Sequence, residues 1–316
     1  MTGPLLLQVA CLLLLIAPGY WLRRTGVLTE AGTTELAKLL MRAIYPCLIY
    51  GAVAGQLTTR QLVGLWPLPV LVFALMVLGF LVGLGAAGRL RFATPKQRQA
   101  FLFQCAFNNY SFLPMPLVAM LYGDTGVAML IVSSLGAEIA LWTLGFALMN
   151  RAAGLGWRSL RCLANPVLLM LAAAFVTLLV RDAVAPRVPA ALAGIAQHIL
   201  ATLQMAGKAT IPLSMVIAGS CIAVLPAATL REPRAWLAAG LRLLLIPALA
   251  LLALRLLPLP AMDRQILSIV AVMPVALASI TFAKVFQGDE DFVSGTVLLT
   301  HLLALVTIPL LLALAL

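Results

Sequence analysis

Two asparagines followed by two prolines, in CAFNNYSFLPMP (Cys105 to Pro116), interrupt an apolar stretch, and Pro274 in AVMPVALASITF interrupts another. Pro114 and Pro116 carry no backbone N–H, and their rings clash with the carbonyls of Tyr110 and Phe112. A helix through this stretch should therefore break near its middle, and Pro274 threatens the carbonyl of Val270 in the same way. After each break a new half-helix begins, and its free N–H groups and positive dipole end suit an anion, a carboxylate above all. Asn108 and Asn109 bring side-chain amides that donate to a carboxylate without adding a charge, and Ser111, Ser279 and Thr281 offer hydroxyl donors. The competing reading is structural, with asparagines that cap a broken helix or bond a neighbouring one and prolines that only kink.

Few ionisable groups accompany them within apolar runs. Glu138 is costly there unless paired, protonated or wetted. By titrating it would carry a proton, as an anion it could hold sodium, and a structural pair with Arg242 or Lys208 is the alternative. Arg42 and Lys208 each precede a proline, Pro46 and Pro212, by four residues, one helical turn on the same face. They could guide an anion from opposite sides of the membrane, or simply snorkel to the interface. His198 and His301 stand apart and read as packing groups. The five cysteines have no paired spacing, so neither a disulfide framework nor a metal site is suggested. With two histidines and no H-E-x-x-H motif, catalysis has no constellation to rest on. No cofactor is expected beyond coupling to a proton or sodium gradient.

The elements that must position these residues follow from composition. Of 316 residues 63% are apolar and 10% charged, and the mean hydropathy is +1.10, which marks a polytopic membrane protein. Ten candidate spans can be drawn: 4–22, 36–55, 64–88, 99–121, 125–149, 164–181, a long one at 190–225, 235–257, 264–286 and 292–315. The first run lacks the basic flank and cleavage site of a signal peptide and reads as a retained helix. With the N-terminus outside, Arg23, Arg24, Arg89, Arg91, Lys96, Arg98, Arg151, Arg158 and Arg161 gather on the cytoplasmic side. Both termini are then outside a cell (inner) membrane. The net charge of +11 is thereby topological, and a nucleic-acid partner has no support.

Shifting the chain by about 165 residues lays RAIYPCLIYGAVAG on KATIPLSMVIAGS and LYGDTG on FQGDED, superposing Pro46 on Pro212 and Asp124 on Asp289. An odd number of spans per half turns the second copy upside down. The expectation is one all-α domain over 1–316, with inverted five-helix repeats at about 1–155 and 160–316. Broken helices at corresponding places, the fourth and the ninth, then point to a midplane site.

FNNYSFLPMPLVAMLYGDTG, GKATIPLSMVIAGSCIA and MPVALASITFAKVFQGDEDFVSGTVLLTHLLALVTIPLL resemble recurrent segments of the auxin efflux carriers, within the bile acid, arsenite and auxin transporter superfamily. The resemblance spans essentially the whole chain. It implies ten helices in a scaffold and a transport domain, with helices 4 and 9 crossing at their broken centres. It also implies secondary transport of small organic anions, auxin in plants and carboxylates such as malate or malonate in bacteria, here by elevator-like alternating access. The asparagine that contacts the substrate carboxylate matches Asn109, with Asn108 beside it. Only Asn150 to Asn165 stands where many plant members carry a long hydrophilic loop, so auxin is not assumed as the substrate. A sodium symporter of the bile acid type and a non-transporting sensor or assembly subunit are the alternatives. Small carboxylates and lipid are the expected partners, and a homodimer is compatible with the sequence.

Overall fold

The structure, a computed structural model, describes residue 14 and residues 16–149, 166–184, 189–224 and 231–315. Most of the expected first span and the segment 150–165 therefore lie outside the described residues. Every named element among those described is helical. In chain order these are α1 (Ile16–Arg24), α2 (Glu30–Gln56), α3 (Thr59–Ala87), α4 (Pro95–Ala106), α5 (Pro114–Met149) and α6 (Pro166–Val184). They are followed by α7 (Ala190–Lys208), α8 (Thr210–Ala223), α9 (Pro233–Leu256), α10 (Ala261–Ala271), α11 (Ala278–Val285) and α12 (Glu290–Ala315).

Among the described residues six stretches are long and apolar enough to cross a membrane: α2, α3, α5, Leu192–Ala223, α9 and α12. The expected fourth and ninth spans are missing from that set because each is interrupted. α4 has 12 residues and α10 has 11. At 1.5 Å per residue that is about 16–18 Å of helix in each, against about 30 Å of hydrocarbon. Several boundaries also move outward to polar caps. Thr29 accepts from Gly32 N and starts α2 earlier than expected, and a Thr58–Gln61 capping box starts α3. Pro46 and Pro247 withhold an N–H from the preceding turn, and in both places that turn widens to π geometry, at Leu40–Ile44 and Leu241–Leu245. Gly123, with φ 63°, bends α5 where LYGDTG was expected to end one span and begin another.

The helices pack as two bundles. α1 lies along α8, and α2 lies against α6 and α7, while α3 packs on α4 and α5, and α9, α10, α11 and α12 join that second group. Contacts between α2 and α5 connect the two. Within the first bundle approach is close enough that a Cβ on Gly19 would meet the carbonyl of Val216, and one on Gly219 that of Ile16. Such small-residue seams take the place of a hydrophobic driving force between helices in lipid. The outer faces carry exposed apolar residues such as Leu81, Val176, Leu256 and Val306, whereas the second bundle's centre buries Phe107, Asn108, Val272 and Met273 completely. The polar residues of interest thus sit at the middle of the more deeply packed bundle.

Candidate functional site

The two interruptions meet. After Ala106 the chain turns extended at Phe107 (φ −103°, ψ 117°), and Asn108 pairs antiparallel with Val275. Asn109 N donates to the Pro274 carbonyl at 2.8 Å, and Ala276 N donates to the Phe107 carbonyl at 3.1 Å. Each break thereby satisfies part of the other's backbone, the condition for irregular chain at membrane depth. Two side chains serve the remaining carbonyls. The Asn108 amide donates to the carbonyl of Val270, the group that Pro274 leaves without its helical donor. The fully buried Arg242 guanidinium donates to Ala271 O at 2.9 Å, Met273 O at 3.3 Å and Cys105 O at 3.4 Å.

Asn109 does two things. Its Oδ1 accepts from Phe112 N (3.1 Å) and Leu113 N (3.3 Å), capping the start of α5. Its buried amide nitrogen has no partner among the described residues. The capping and ligand-binding readings of this residue are therefore compatible, since they use different atoms. Asn108 departs from expectation, because its donor is committed to Val270 and the atom left unpaired is the acceptor Oδ1. Pro114 departs too. It occupies the first helical position of α5, where its missing N–H costs nothing, and so it starts a helix rather than breaking one.

A cavity of about 290 Å³ opens at this crossing. Asn108, Asn109 and Ser111 line it, together with Glu138 and Arg42, and Tyr45, Tyr110, Phe112, Trp142 and Phe282 supply an aromatic wall. Met41, Arg42, Tyr45 and Pro166 come from the first bundle and the other lining residues from the second, so the cavity lies between the two. Glu138 accepts from the Tyr110 hydroxyl at 2.8 Å and from Trp142 Nε1 at 3.1 Å. The alternative reading of Glu138 paired it with Arg242 or Lys208, but among the described residues Arg242 is held by carbonyls and Lys208 lines another cavity. Arg42, exposed on the π turn of α2, forms no hydrogen bond or ion pair among the described residues.

Other expected residues fall outside the cavity wall. Ser279 is buried and donates to Ala276 O at 2.6 Å, Thr281 is exposed, and Pro114 and Pro274 frame the breaks. Lys208 lines a smaller space of about 40 Å³ with Asp124, Gln204 and Gln56, further along α2. His301 bonds the Val297 carbonyl at 2.9 Å, in keeping with a packing role. Sequence reasoning missed Tyr110, Trp142 and the task of Arg242. Trp142 lies one turn from Glu138 on the same helical face, and Arg242 is an arginine inside an apolar run, so both carried a signal.

The family described as Membrane transport protein matches residues 4–156 and 160–312. The chain belongs to this family, that of the auxin efflux carriers. It is similar to an uncharacterized transporter of Methanothermobacter thermautotrophicus, 27% identical over 309 residues, covering 96% of this chain and 95% of the relative. A second uncharacterized transporter, from Methanocaldococcus jannaschii, is 22% identical over 307 residues, with 96% of each chain covered. A multi-pass membrane transporter is the level at which family, hydropathy and helices agree. For this member of the auxin efflux carrier family, the cavity offers an amide donor and an arginine that are unpaired among the described residues, and a hydrogen-bonded carboxylate.

Proposed function

We propose that this transporter carries a small organic anion, with the carboxylate held at the crossing of the two breaks. The observation that carries the reading is the buried amide nitrogen of Asn109, unpaired among the described residues, beside a cavity into which Arg42 brings a cation with no partner among them. A buried donor without an acceptor costs about 1–3 kcal/mol, which a bound anion would recover. The starts of α5 and α11, with their positive dipole ends, adjoin the same cavity. Both asparagines lie in one break, so one carboxylate is the minimum ligand and a dicarboxylate would call on Arg42 for its second charge.

Alternating access by an elevator-like slide of the second bundle against the first accounts for a cavity between bundles. It also accounts for a second space bearing Lys208 further along α2. Two inverted five-helix repeats account for the grouping of α1 and α2 with α6 to α8, and of α3 to α5 with α9 to α12. Glu138 is the candidate coupling group. Sodium symport is the competing reading, favoured by two oxygen acceptors at the cavity, the Glu138 carboxylate and the unpaired Asn108 Oδ1. Purified protein in liposomes, assayed for carboxylate flux with proton and sodium gradients imposed separately, tests all of this. Flux driven by neither gradient leaves exchange or uniport, and absence of any carboxylate flux overturns the reading.

A further inference from the structure

We propose that Arg242 is a positioning residue for the transport site: from α9, outside the crossing, it holds both interrupted helices so that Asn109 presents its free donor to the anion. The proposal rests on the reading of the crossing as the substrate site.

In a continuous helix the carbonyl of Cys105 would take the N–H of Asn109, and that of Ala271 the N–H of Val275. Both N–H groups are turned away by the breaks, and Asn109 N goes to Pro274 O. Arg242 takes the two abandoned carbonyls, one from the end of α4 and one from the end of α10, and adds Met273 O next to Pro274. The two helix ends carry roughly −0.5 elementary charge each, together about the charge of one guanidinium. That match is the compensation a fully buried arginine requires at membrane depth.

The shape of the group matters as much as its charge. A planar fork with five N–H donors reaches three carbonyls on two chain segments, whereas an ammonium on a lysine stem presents three donors from one point. Arg242 does not line the cavity, so it acts through what it holds. Its contact at Cys105 fixes the chain three and four residues before the two asparagines. Its contact at Met273 fixes the residue before the carbonyl that receives Asn109 N. Unpaired carbonyls at both ends would otherwise let the two breaks slide on each other, and the Asn109 amide would lose its fixed place.

The test measures binding of two carboxylate probes, benzoate and malonate, to the purified full chain. The variants are Asn109→Ala, Arg242→Lys, Arg242→Ala and the double variant Arg242→Lys with Asn109→Ala. If Arg242 works through Asn109, Arg242→Lys weakens probe binding by about 10-fold or more, the loss of a hydrogen bond to a charged group. The double variant is then no weaker than Asn109→Ala by more than about twofold, as expected of residues acting as a unit. Guanidinium ion at millimolar concentration should restore binding in Arg242→Ala, and methylammonium should not. Wild-type affinity in folded Arg242→Lys, or losses that simply add in the double variant, overturns the proposal while leaving the Asn109 site standing. Should Arg242→Ala fail to fold, the lysine variant and the double variant still decide. If Asn109→Ala binds both probes as wild type does, the crossing itself is not the site and both readings fall.

Discussion

The two breaks share a geometry and differ in chemistry. The first, residues 107–113, holds Asn108, Asn109 and Ser111, while the second, residues 272–277, is VMPVAL, with no polar side chain. The second leaves no side-chain atom over: Ser279 N and Ile280 N donate to Ala276 O and Leu277 O, at 3.1 and 3.2 Å, and the carbonyls of Met273 and Pro274 are taken by Arg242 and by Asn109 N. The first ends with two unpaired polar atoms, Asn109 Nδ2 and Asn108 Oδ1. Under the proposed function the two interrupted helices divide the work, one break recognising the ligand and the other framing it. The reason is that a break creates unpaired backbone groups whatever its sequence, but only a polar side chain can both satisfy some of them and keep an atom in reserve.

The sharpest way to break this contrast is Asn109→Asp. It keeps the Oδ1 cap of α5 but replaces the free donor with a negative charge facing the anion in a poorly screened place. Carboxylate binding, read by calorimetry on purified protein, should be lost by more than in any other single variant, while the melting temperature stays near wild type. Asn109→Ala should follow, with a loss of about 1.5–3 kcal/mol or roughly 10-fold to 150-fold in affinity. It should also lower stability by about 1 kcal/mol through the missing cap, visible in a thermal melt. Equal binding by wild type and both variants would return the first break to the purely structural role of the second.

A third prediction concerns coupling, because Glu138 contacts the first break through Tyr110. Glu138→Gln should remove the dependence of flux on the coupling gradient while substrate-for-substrate exchange persists in the same liposomes. Gradient dependence that survives the change would reduce Glu138 to a partner of Tyr110 and Trp142. Smaller still is Arg42→Gln. An exposed charge at the rim contributes roughly 0.2–1 kcal/mol, so its loss should slow substrate association and flatten the salt dependence of uptake more than it changes affinity at high salt.

The smallest effect is expected where the sequence had promised a large one. Pro114→Ala should leave binding and flux within about twofold of wild type, because a proline at the first helical position supplies no constraint that the Asn109 cap does not already impose. Rejoining of α4 and α5 in that variant, seen as loss of transport without unfolding, would show that the proline holds the break.

Much of the architecture was legible along the chain. Apolar runs cannot leave lipid, and a proline cannot donate, so the membrane class, the interrupted fourth and ninth spans and the candidacy of Asn109 follow from local chemistry alone. The 165-residue shift had set LYGDTG against FQGDED. In the structure the first bends at Gly123 and the second at Gln287, one residue before the expected glycine. What each released carbonyl would bond to was not readable, since backbone acceptors look alike in sequence and their partners lie far along the chain, 162 residues apart for Asn108 and Val270. For that reason Arg242 looked like a stray charge or a partner for Glu138, and Asn108 looked like a ligand donor. Only the tertiary structure decided which atoms of the two asparagines are used up inside the fold and which single amide nitrogen is left without a partner among the described residues. That choice depends on the two breaks meeting, and no residue of either break specifies it alone.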